Sequence, residues 1–243
     1  MKPPRVPLFE FPDVVIHAEE LNVKRHEHYQ AAKAGNIGAA ERLVAACENI
    51  DCVDRIAALF GGRAVEIVPV HALESTGVNE IPAALAASLV KRLAYQMELR
   101  VSGTITQLNS VGHTGASGYQ RLAHQARFDG NVTFGWCYFL VDDFVGQGGT
   151  LANLIGFIHS RGGQVVGATV LTGKPHSAKL APDEMLIQAL RNRHGNQFEE
   201  WWQDRFGFDF SRLTRSEARY LEKSPDADTI RDRLAAAGFA GGT

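Results

Sequence analysis

The sequence predicts an α/β fold with a mainly parallel sheet and helical additions at both ends of the chain. The first observation is a pair of apolar runs, residues 136–141 and 165–171, which lack the polar alternation of a half-exposed strand. Such runs are typical of parallel strands that helices cover on both faces. The second observation is the helical stretch between them, residues 151–160. Strand, helix and strand in this order predict a βαβ unit with a right-handed crossover.

Further elements precede this unit. Residues 1–16 contain four prolines and predict an extended arm, whereas residues 19–59 follow a helical pattern. An apolar, β-branched run at residues 64–70 predicts another buried strand. Residues 81–97 predict a helix, and the polar alternation of residues 101–108 predicts a half-exposed strand.

These patterns divide the chain into three regions. An N-terminal arm with helices occupies residues 1–62, the α/β core residues 63–182, and a C-terminal helical extension residues 183–243. We expect the aromatic side chains of the extension to pack in a core rather than to stack on a ligand. These are Phe198, Trp201, Trp202, Phe206, Phe208 and Phe210.

Composition excludes several classes of protein. With 45% apolar and 21% charged residues over 243 positions, the chain can bury an ordinary core. A formal charge of −2 argues against a large nucleic-acid interface. The 3 cysteines form no CxxC pair, which argues against structural zinc. Because neither a signal-peptide pattern nor a run of about 18 apolar residues occurs, we expect a cytoplasmic protein without a membrane span.

One segment after the apolar run 136–141 carries the chemistry. It consists of Asp142, Asp143, Phe144, Val145, Gly146, Gln147, Gly148, Gly149 and Thr150. Glycines let backbone N–H groups approach a phosphate closely, and the helix that follows adds a favourable dipole. Adjacent carboxylates cannot help a phosphate, but they suit hydroxyl groups and Mg²⁺. A surface turn with polar helix-capping residues is the alternative interpretation.

The pattern of this segment excludes two common phosphate motifs and matches a third. A dinucleotide fingerprint would need glycine where Leu151 stands, and a P-loop would need a lysine that is absent. The segment resembles the phosphoribosyl pyrophosphate (PRPP) signature of type I phosphoribosyltransferases. This resemblance implies that Asp142 and Asp143 are catalytic residues that hold the ribose hydroxyls and Mg²⁺, directly or through water. It also implies that residues 146–150 bind the 5′-phosphate.

Two further stretches are similar to the competence-protein-F-like branch of that family. They are residues 68–80, with Val-Pro-Val and Gly-Val-Asn-Glu, and residues 118–128. The chain departs from the family at Gln147, where Thr or Ser is usual. A second departure is the loop at residues 71–76, which lacks the expected Arg or Lys for pyrophosphate.

Other candidate residues lie outside the signature. His71 and Arg121 are candidates for the pyrophosphate side of the site, and Lys174 for the base side. A solvated surface residue without a ligand is the alternative for each. The polar stretch at residues 109–118 occupies the position of a flexible lid, although an ordinary hairpin fits it equally.

Two functions follow from the resemblance. In the first, the protein transfers ribose 5-phosphate from PRPP to a nitrogen base, with release of pyrophosphate. In the second, it is a non-catalytic module that senses PRPP or a nucleoside monophosphate. The two departures from the family, at Gln147 and at residues 71–76, favour this second function. A role in DNA handling rests on family analogy alone. We expect a homodimer, because family members often complete the site from a neighbouring subunit.

Overall fold

The computed structural model describes residues 2–70, 73–74, 77–95, 97–109 and 117–239. Its strands are β1 (Val15–Ala18), β2 (Val65–Pro69), β3 (Leu73–Glu74), β4 (Gly77–Val78), β5 (Leu99–Val101), β6 (Thr106–Gln107), β7 (Phe128–Asp129), β8 (Cys137–Val145) and β9 (Gln164–Gly173). Its first helices are α1 (Glu20–Lys24), α2 (Tyr29–Lys33), α3 (Ile37–Cys47), α4 (Ile50–Phe60), α5 (Ile81–Leu93) and α6 (Gly118–Ala123). The later helices are α7 (Gly149–Ser160), α8 (Glu184–His194), α9 (Asn196–Phe206), α10 (Arg215–Glu222) and α11 (Ala227–Phe239). Within the described ranges, no helix combines the length and apolar character that crossing a membrane requires.

A five-stranded sheet in the order β1-β9-β8-β2-β5 organises the fold, and every pairing in it is parallel. The α/β class and the parallel sheet are therefore confirmed. Two small antiparallel pairs, β3-β4 and β6-β7, lie outside this sheet. Side chains of β8 alternate between the two faces, because successive residues of a strand point in opposite directions. Tyr138 and Leu140 pack in one core, whereas Phe139 and Val141 pack in the other.

Helices cover both faces of the sheet, as the long apolar runs require. On one face, α3, α4 and α5 bury Leu43, Ile56 and Leu85 against β2 and β8. On the other face, α7 buries Leu154 and Ile158. The predicted strand–helix–strand unit is thus β8, α7 and β9.

The edge strand β1 comes from the region that the sequence assigned to an arm. Its residue Val15 pairs with Thr169 of β9, and the Thr169 hydroxyl donates to the Val15 carbonyl over 2.8 Å. The sheet therefore extends beyond residues 63–182. The three-region division of the chain otherwise remains a prediction.

The C-terminal extension forms a third core around aromatic side chains. Trp202 is fully buried, and it lies against Phe206 with ring centroids 4.3 Å apart. The short helix α6 joins this core through Tyr119 and Leu122. Most of the aromatic cluster thus packs as expected, and α6 is fixed against the extension.

Candidate functional site

The acid pair lies on β8 beyond the point where its neighbour β2 ends. The last paired residue of β2, Pro69, stands opposite Val141. Strand β8 continues to Val145 alongside β9, so Asp142 and Asp143 belong to the strand rather than to the turn after it. Both carboxylates therefore lie at the carboxyl edge of the sheet, where β2 has ended and space is open. Ligands of open α/β sheets bind at this edge.

The two carboxylates differ in their surroundings. Asp142 is only 7% exposed, and its Oδ1 accepts the N–H of Asp143 over 2.8 Å. Burial, together with the neighbouring charge of Asp143, raises the pKa of Asp142 well above its usual range. Asp143 Oδ2 lies 3.0 Å from Lys33 Nζ at the end of α2. Sequence reasoning missed Lys33, because 110 positions separate the partners and no local pattern marks the pair.

The loop after β8 presents unpaired backbone donors. Gly148 has φ +79°, a left-handed conformation that glycine adopts without steric cost, and α7 begins at the next residue. Among the described residues, none accepts a hydrogen bond from the N–H groups of residues 146–150. Free N–H groups at the start of a 12-residue helix are a ready site for an anion.

The C-terminal extension holds this loop in place. The Thr214 hydroxyl donates to the Gln147 carbonyl over 2.5 Å. A Cβ added to Gly148 would lie 2.5 Å from Leu180 Cδ2 and 3.5 Å from Thr214 Cγ2. The loop is thus packed from behind, which fixes the directions of its N–H groups.

A buried ion pair joins the two ends of the chain beside the loop. Arg5 Nη1 and Nη2 donate to the two carboxylate oxygens of Glu217 over 2.5 and 2.9 Å, with side-chain exposures of 1% and 3%. Arg5 Nε also donates to Asn153 Oδ1 of α7 over 2.6 Å. The arm crosses α7 at Gly156, where any Cβ would overlap the Pro4 carbonyl.

Both ends of the pair reach the start of α7. A Cβ on Gly149 would lie 2.6 Å from Glu217 Oε1 and 3.3 Å from Arg5 Nη2. Glu217 also accepts the N–H of Thr214, which completes a capping box at the start of α10. One salt bridge therefore positions the arm, α7 and α10 together.

A cavity of about 330 Å³ brings most of the predicted site together. It is lined by Asp142, Asp143, all five residues from Gly146 to Thr150, and Arg121. Arg121 Nη1 lies 3.4 Å from the Cβ position of Gly146, and within the described part of the chain no carboxylate pairs with it. Cavity residues that the sequence did not predict include Arg5, Lys24, Lys33, Gln107, His124 and Asn153.

Two predicted residues do not join this cavity. Lys174 is exposed, lies outside the lining, and donates its N–H to the Val145 carbonyl over 3.0 Å. His71 lies outside the described residues, as do residues 110–116 of the predicted lid. Their roles remain predictions.

Three glutamine side chains leave buried oxygens unpaired in this cavity. The Oε1 atoms of Gln107, Gln125 and Gln147 have no hydrogen-bond partner, and all three residues line the space. Gln107 is only 9% exposed, and its Nε2 already donates to the Asn109 carbonyl over 2.6 Å. Since an unpaired buried acceptor costs about 1 to 3 kcal/mol, these oxygens suit a bound group that donates hydrogen bonds.

Comparisons with known proteins give relatives over part of their length. No family model matches the chain. It is 38% identical to the protein TraN of Escherichia coli over 233 residues, which are 96% of this chain and 51% of TraN. An uncharacterised protein of Haemophilus influenzae is 36% identical over 149 residues, which are 61% of this chain and 32% of that protein. The chain thus spans about half, and about a third, of the length of these relatives.

A solved adenine phosphoribosyltransferase from Rhodothermus marinus is similar at a low level. The TM-score is 0.30 and the identity 12%, over 52% of this chain and 81% of that one. A likeness at this level supports no statement about the ligand. What the cavity could bind is therefore judged from its own geometry.

Proposed function

We propose that this chain is a protein of the type I phosphoribosyltransferase class that binds a phosphorylated ribose, either PRPP or a nucleoside 5′-monophosphate. One observation carries the proposal: unpaired N–H groups at residues 146–150 and the acid pair on β8 line the same cavity. The 5′-phosphate accepts hydrogen bonds from the loop, whose donors point at the ligand along the start of a helix. Arg121 beside Gly146 adds positive charge at this end.

The acid pair holds the ribose in this proposal. Carboxylate oxygens accept hydrogen bonds from the 2′- and 3′-hydroxyls, and a bound sugar replaces the water that Asp142 loses on burial. The pair also fits Mg²⁺, which proteins commonly hold through one or two carboxylates together with ligand oxygens. Among the described residues there is no cluster of three or more metal-ligating side chains, so the ligand would complete such a site. Bound Mg²⁺ would neutralise charge on the pyrophosphate.

The enzymatic form of the proposal is transfer of ribose 5-phosphate to a nitrogen base. The bond from ribose C1 to the pyrophosphate oxygen breaks, the base nitrogen bonds to C1, and pyrophosphate leaves with the bonding electrons. The sequence suggested a shortage of cations for this leaving group. Lys24, Lys33 and Arg121 line the cavity, but Glu20 pairs with Lys24 and Asp143 pairs with Lys33. Arg121 is therefore the candidate for the positive charge that the loop at residues 71–76 lacks.

Binding and chemistry are tested separately. Titration calorimetry with AMP, ribose 5-phosphate and PRPP, with and without Mg²⁺, measures binding to the wild type and to Gly148→Val. The β-branched side chain conflicts with φ +79° and with Leu180, so affinity for all three ligands should fall at least tenfold. Normal binding by this variant would contradict the loop site. Release of pyrophosphate from PRPP over a panel of bases then tests catalysis.

Sensing without catalysis is the second candidate, and the Thr214–Gln147 hydrogen bond favours it. A phosphate bound to the loop would act directly on α10, because the Gln147 carbonyl accepts a hydrogen bond from Thr214, the residue that caps this helix. Binding of PRPP without pyrophosphate release from any base, together with altered hydrogen exchange in residues 214–222, would support this function. Unchanged exchange there would count against it.

Several partner predictions belong to the same proposal. We expect a cytoplasmic homodimer that does not bind nucleic acid. Lys174 remains the proposed contact to the base. Light scattering coupled to size exclusion measures the oligomer directly, and a monomer at high concentration would contradict the dimer.

A further inference from the structure

The two edges of the five-stranded sheet differ in how they are covered. At one edge, the Ile16 carbonyl of β1 accepts a hydrogen bond from the Cys52 thiol over 3.4 Å, so α4 lies against this edge. At the other edge, β5 pairs with β2 alone. Within the described part of the chain, no residue forms a hydrogen bond to the outer side of β5. An uncovered edge strand is a template for pairing with another chain.

The ladder with β2 fixes which backbone groups of β5 face outward. The Glu98 carbonyl accepts an N–H group of β2 over 3.1 Å, and the Ser102 N–H donates to a carbonyl of β2 over 2.7 Å. In a parallel ladder, alternate residues direct both of their backbone groups to the same neighbour. The N–H and C=O groups of Leu99 and Val101 therefore point away from β2, into the space beside the edge.

The side chains of β5 are divided by polarity between the two faces of the sheet. Arg100 and Glu98 lie on one face with 57% and 63% of their side chains exposed, and Arg100 Nη2 donates to Glu98 Oε1 over 2.7 Å. The Arg100 guanidinium also lies over the Trp136 ring, 4.4 Å from its centroid. Leu99 and Val101 lie on the opposite face, where Val101 is 46% exposed. The edge thus combines an exposed apolar side chain with one charge of each sign.

This pattern is complementary to itself in one antiparallel register. Two copies related by a twofold axis present the same strand to each other, so each contact occurs twice. Placing Leu99 opposite itself puts Glu98 of one copy opposite Arg100 of the other, and Met97 opposite Val101. A shift of the second strand by two residues in either direction instead brings two Glu98 or two Arg100 side chains together, which is unfavourable. The charges therefore select one register over its neighbours.

We propose that β5 is the interface with a second copy of this chain, with Leu99 on the twofold axis and the two sheets joined into one. Arg100 of each copy pairs with Glu98 of the other, and Met97 covers the exposed Val101 on the opposite face. The same short strand supplies both halves of this complementarity, which identifies the occupant as a second copy rather than an unrelated strand. The proposal assigns a surface to the homodimer expected above, and it does not depend on the ligand.

Charge reversal in the whole chain tests this interface. The variants are Glu98→Arg, Arg100→Glu and the double variant that carries both changes. Arg219→Glu is the matched control, because it reverses the charge of an exposed residue on α10, away from the sheet edge. Sedimentation equilibrium measures the dissociation constant of the dimer, which should be on the order of micromolar for the wild type, because a short edge strand buries a small area. Circular dichroism checks that every variant is folded.

Each single variant places like charges opposite each other twice in the dimer, so its dissociation constant should rise at least about tenfold. The double variant restores opposite charges and should return to within about threefold of the wild type. An equimolar mixture of the two single variants should associate equally well, because each then meets the opposite charge. A variant that had merely lost its fold would not be rescued by mixing.

Val101→Pro tests the backbone part of the interface. Proline removes an outward N–H group and leaves the ladder with β2 intact, so the chain should fold while its dissociation constant rises at least about tenfold. A dimer that the single variants leave unchanged, that the mixture does not restore, or that Arg219→Glu weakens equally overturns this surface and leaves the homodimer standing. A wild-type monomer at the highest concentration reached overturns both. Neither result changes the site at residues 146–150, which calorimetry tests separately.

Discussion

The two carboxylate centres that line the cavity beside residues 146–150 balance their charge in opposite ways. Glu217 receives two hydrogen bonds from Arg5 and a third from the Thr214 N–H, and all of these groups are buried. Asp142 is also buried, but its nearest charged neighbour is the like charge of Asp143, which Lys33 offsets. In the first centre the charges of Arg5 and Glu217 are paired with each other. In the second centre two carboxylates share one lysine, so one negative charge is in excess.

This difference separates a structural centre, Arg5 and Glu217, from the centre that we propose binds the ligand. A buried, fully paired charge is costly to break, since removing one partner leaves the other uncompensated. An excess buried charge destabilises the empty protein and is relieved when a ligand supplies donors or a cation. Four predictions test this distinction, from the largest expected effect to the smallest.

Breaking the structural centre should have the largest effect. Glu217→Gln keeps the capping box but leaves the Arg5 guanidinium buried without its counter-charge, so the free energy of unfolding should fall by about 3 to 5 kcal/mol. Urea denaturation measures this change. The double variant Arg5→Met with Glu217→Met should recover part of the loss, because neither charge is then left alone. A single variant as stable as the wild type would show that this pair is not structural.

Disturbing the loop at residues 146–150, which packs against Thr214 and Leu180, should have an intermediate effect. Gly148→Ala should cost about 1 to 2 kcal/mol for the left-handed backbone, and more because the new methyl group meets Leu180. Phosphate affinity should fall in parallel. Gly62→Ala is the matched control, because Gly62 has a similar φ of +73° but no atom within 4 Å of its Cβ position. Equal losses in both variants would mean that packing on Leu180 contributes nothing.

Neutralising the ligand-binding centre should leave stability unchanged or raise it by up to about 1 kcal/mol. Asp142→Asn removes a buried charge that repels Asp143, while it weakens binding of the ribose hydroxyls. Thermal unfolding without ligand and calorimetry with ribose 5-phosphate measure the two effects. Marked destabilisation with normal binding would reverse the roles assigned to the two centres.

The smallest expected effect is on the pH dependence of stability, which the raised pKa of Asp142 should change. The folded-state pKa of Asp142 is raised, so the folded protein binds the proton more tightly than the unfolded chain. This contribution is present at low pH and is lost as pH rises from about 3.9 through the raised value. The stability advantage of Asp142→Asn over the wild type should therefore grow with pH and then level off. An advantage that stays constant with pH would contradict the raised pKa.

Local patterns were sufficient for the centre of the chain. The apolar run, the acid pair and the glycine-rich turn are consecutive, so their order fixes a strand, a loop and a helix without reference to distant residues. Composition alone likewise predicted that the aromatic residues of the extension pack in a core. The four-residue strand Val15–Ala18 was not predicted, because such a short segment beside prolines becomes a strand only by pairing with β9.

The sequence by itself determined the strand–helix–strand unit of β8, α7 and β9 and the glycine-rich loop between β8 and α7, because both depend on contacts within a few tens of residues. Tertiary structure alone decided which side chains complete the cavity. Arg5 and Glu217 are 212 positions apart, and Lys33 and Asp143 are 110 apart, so no spacing rule links them. A charged residue has the same local pattern whether it is solvated or buried in a pair. Only the folded chain brings the partners within hydrogen-bond distance and sets which charge remains for a ligand.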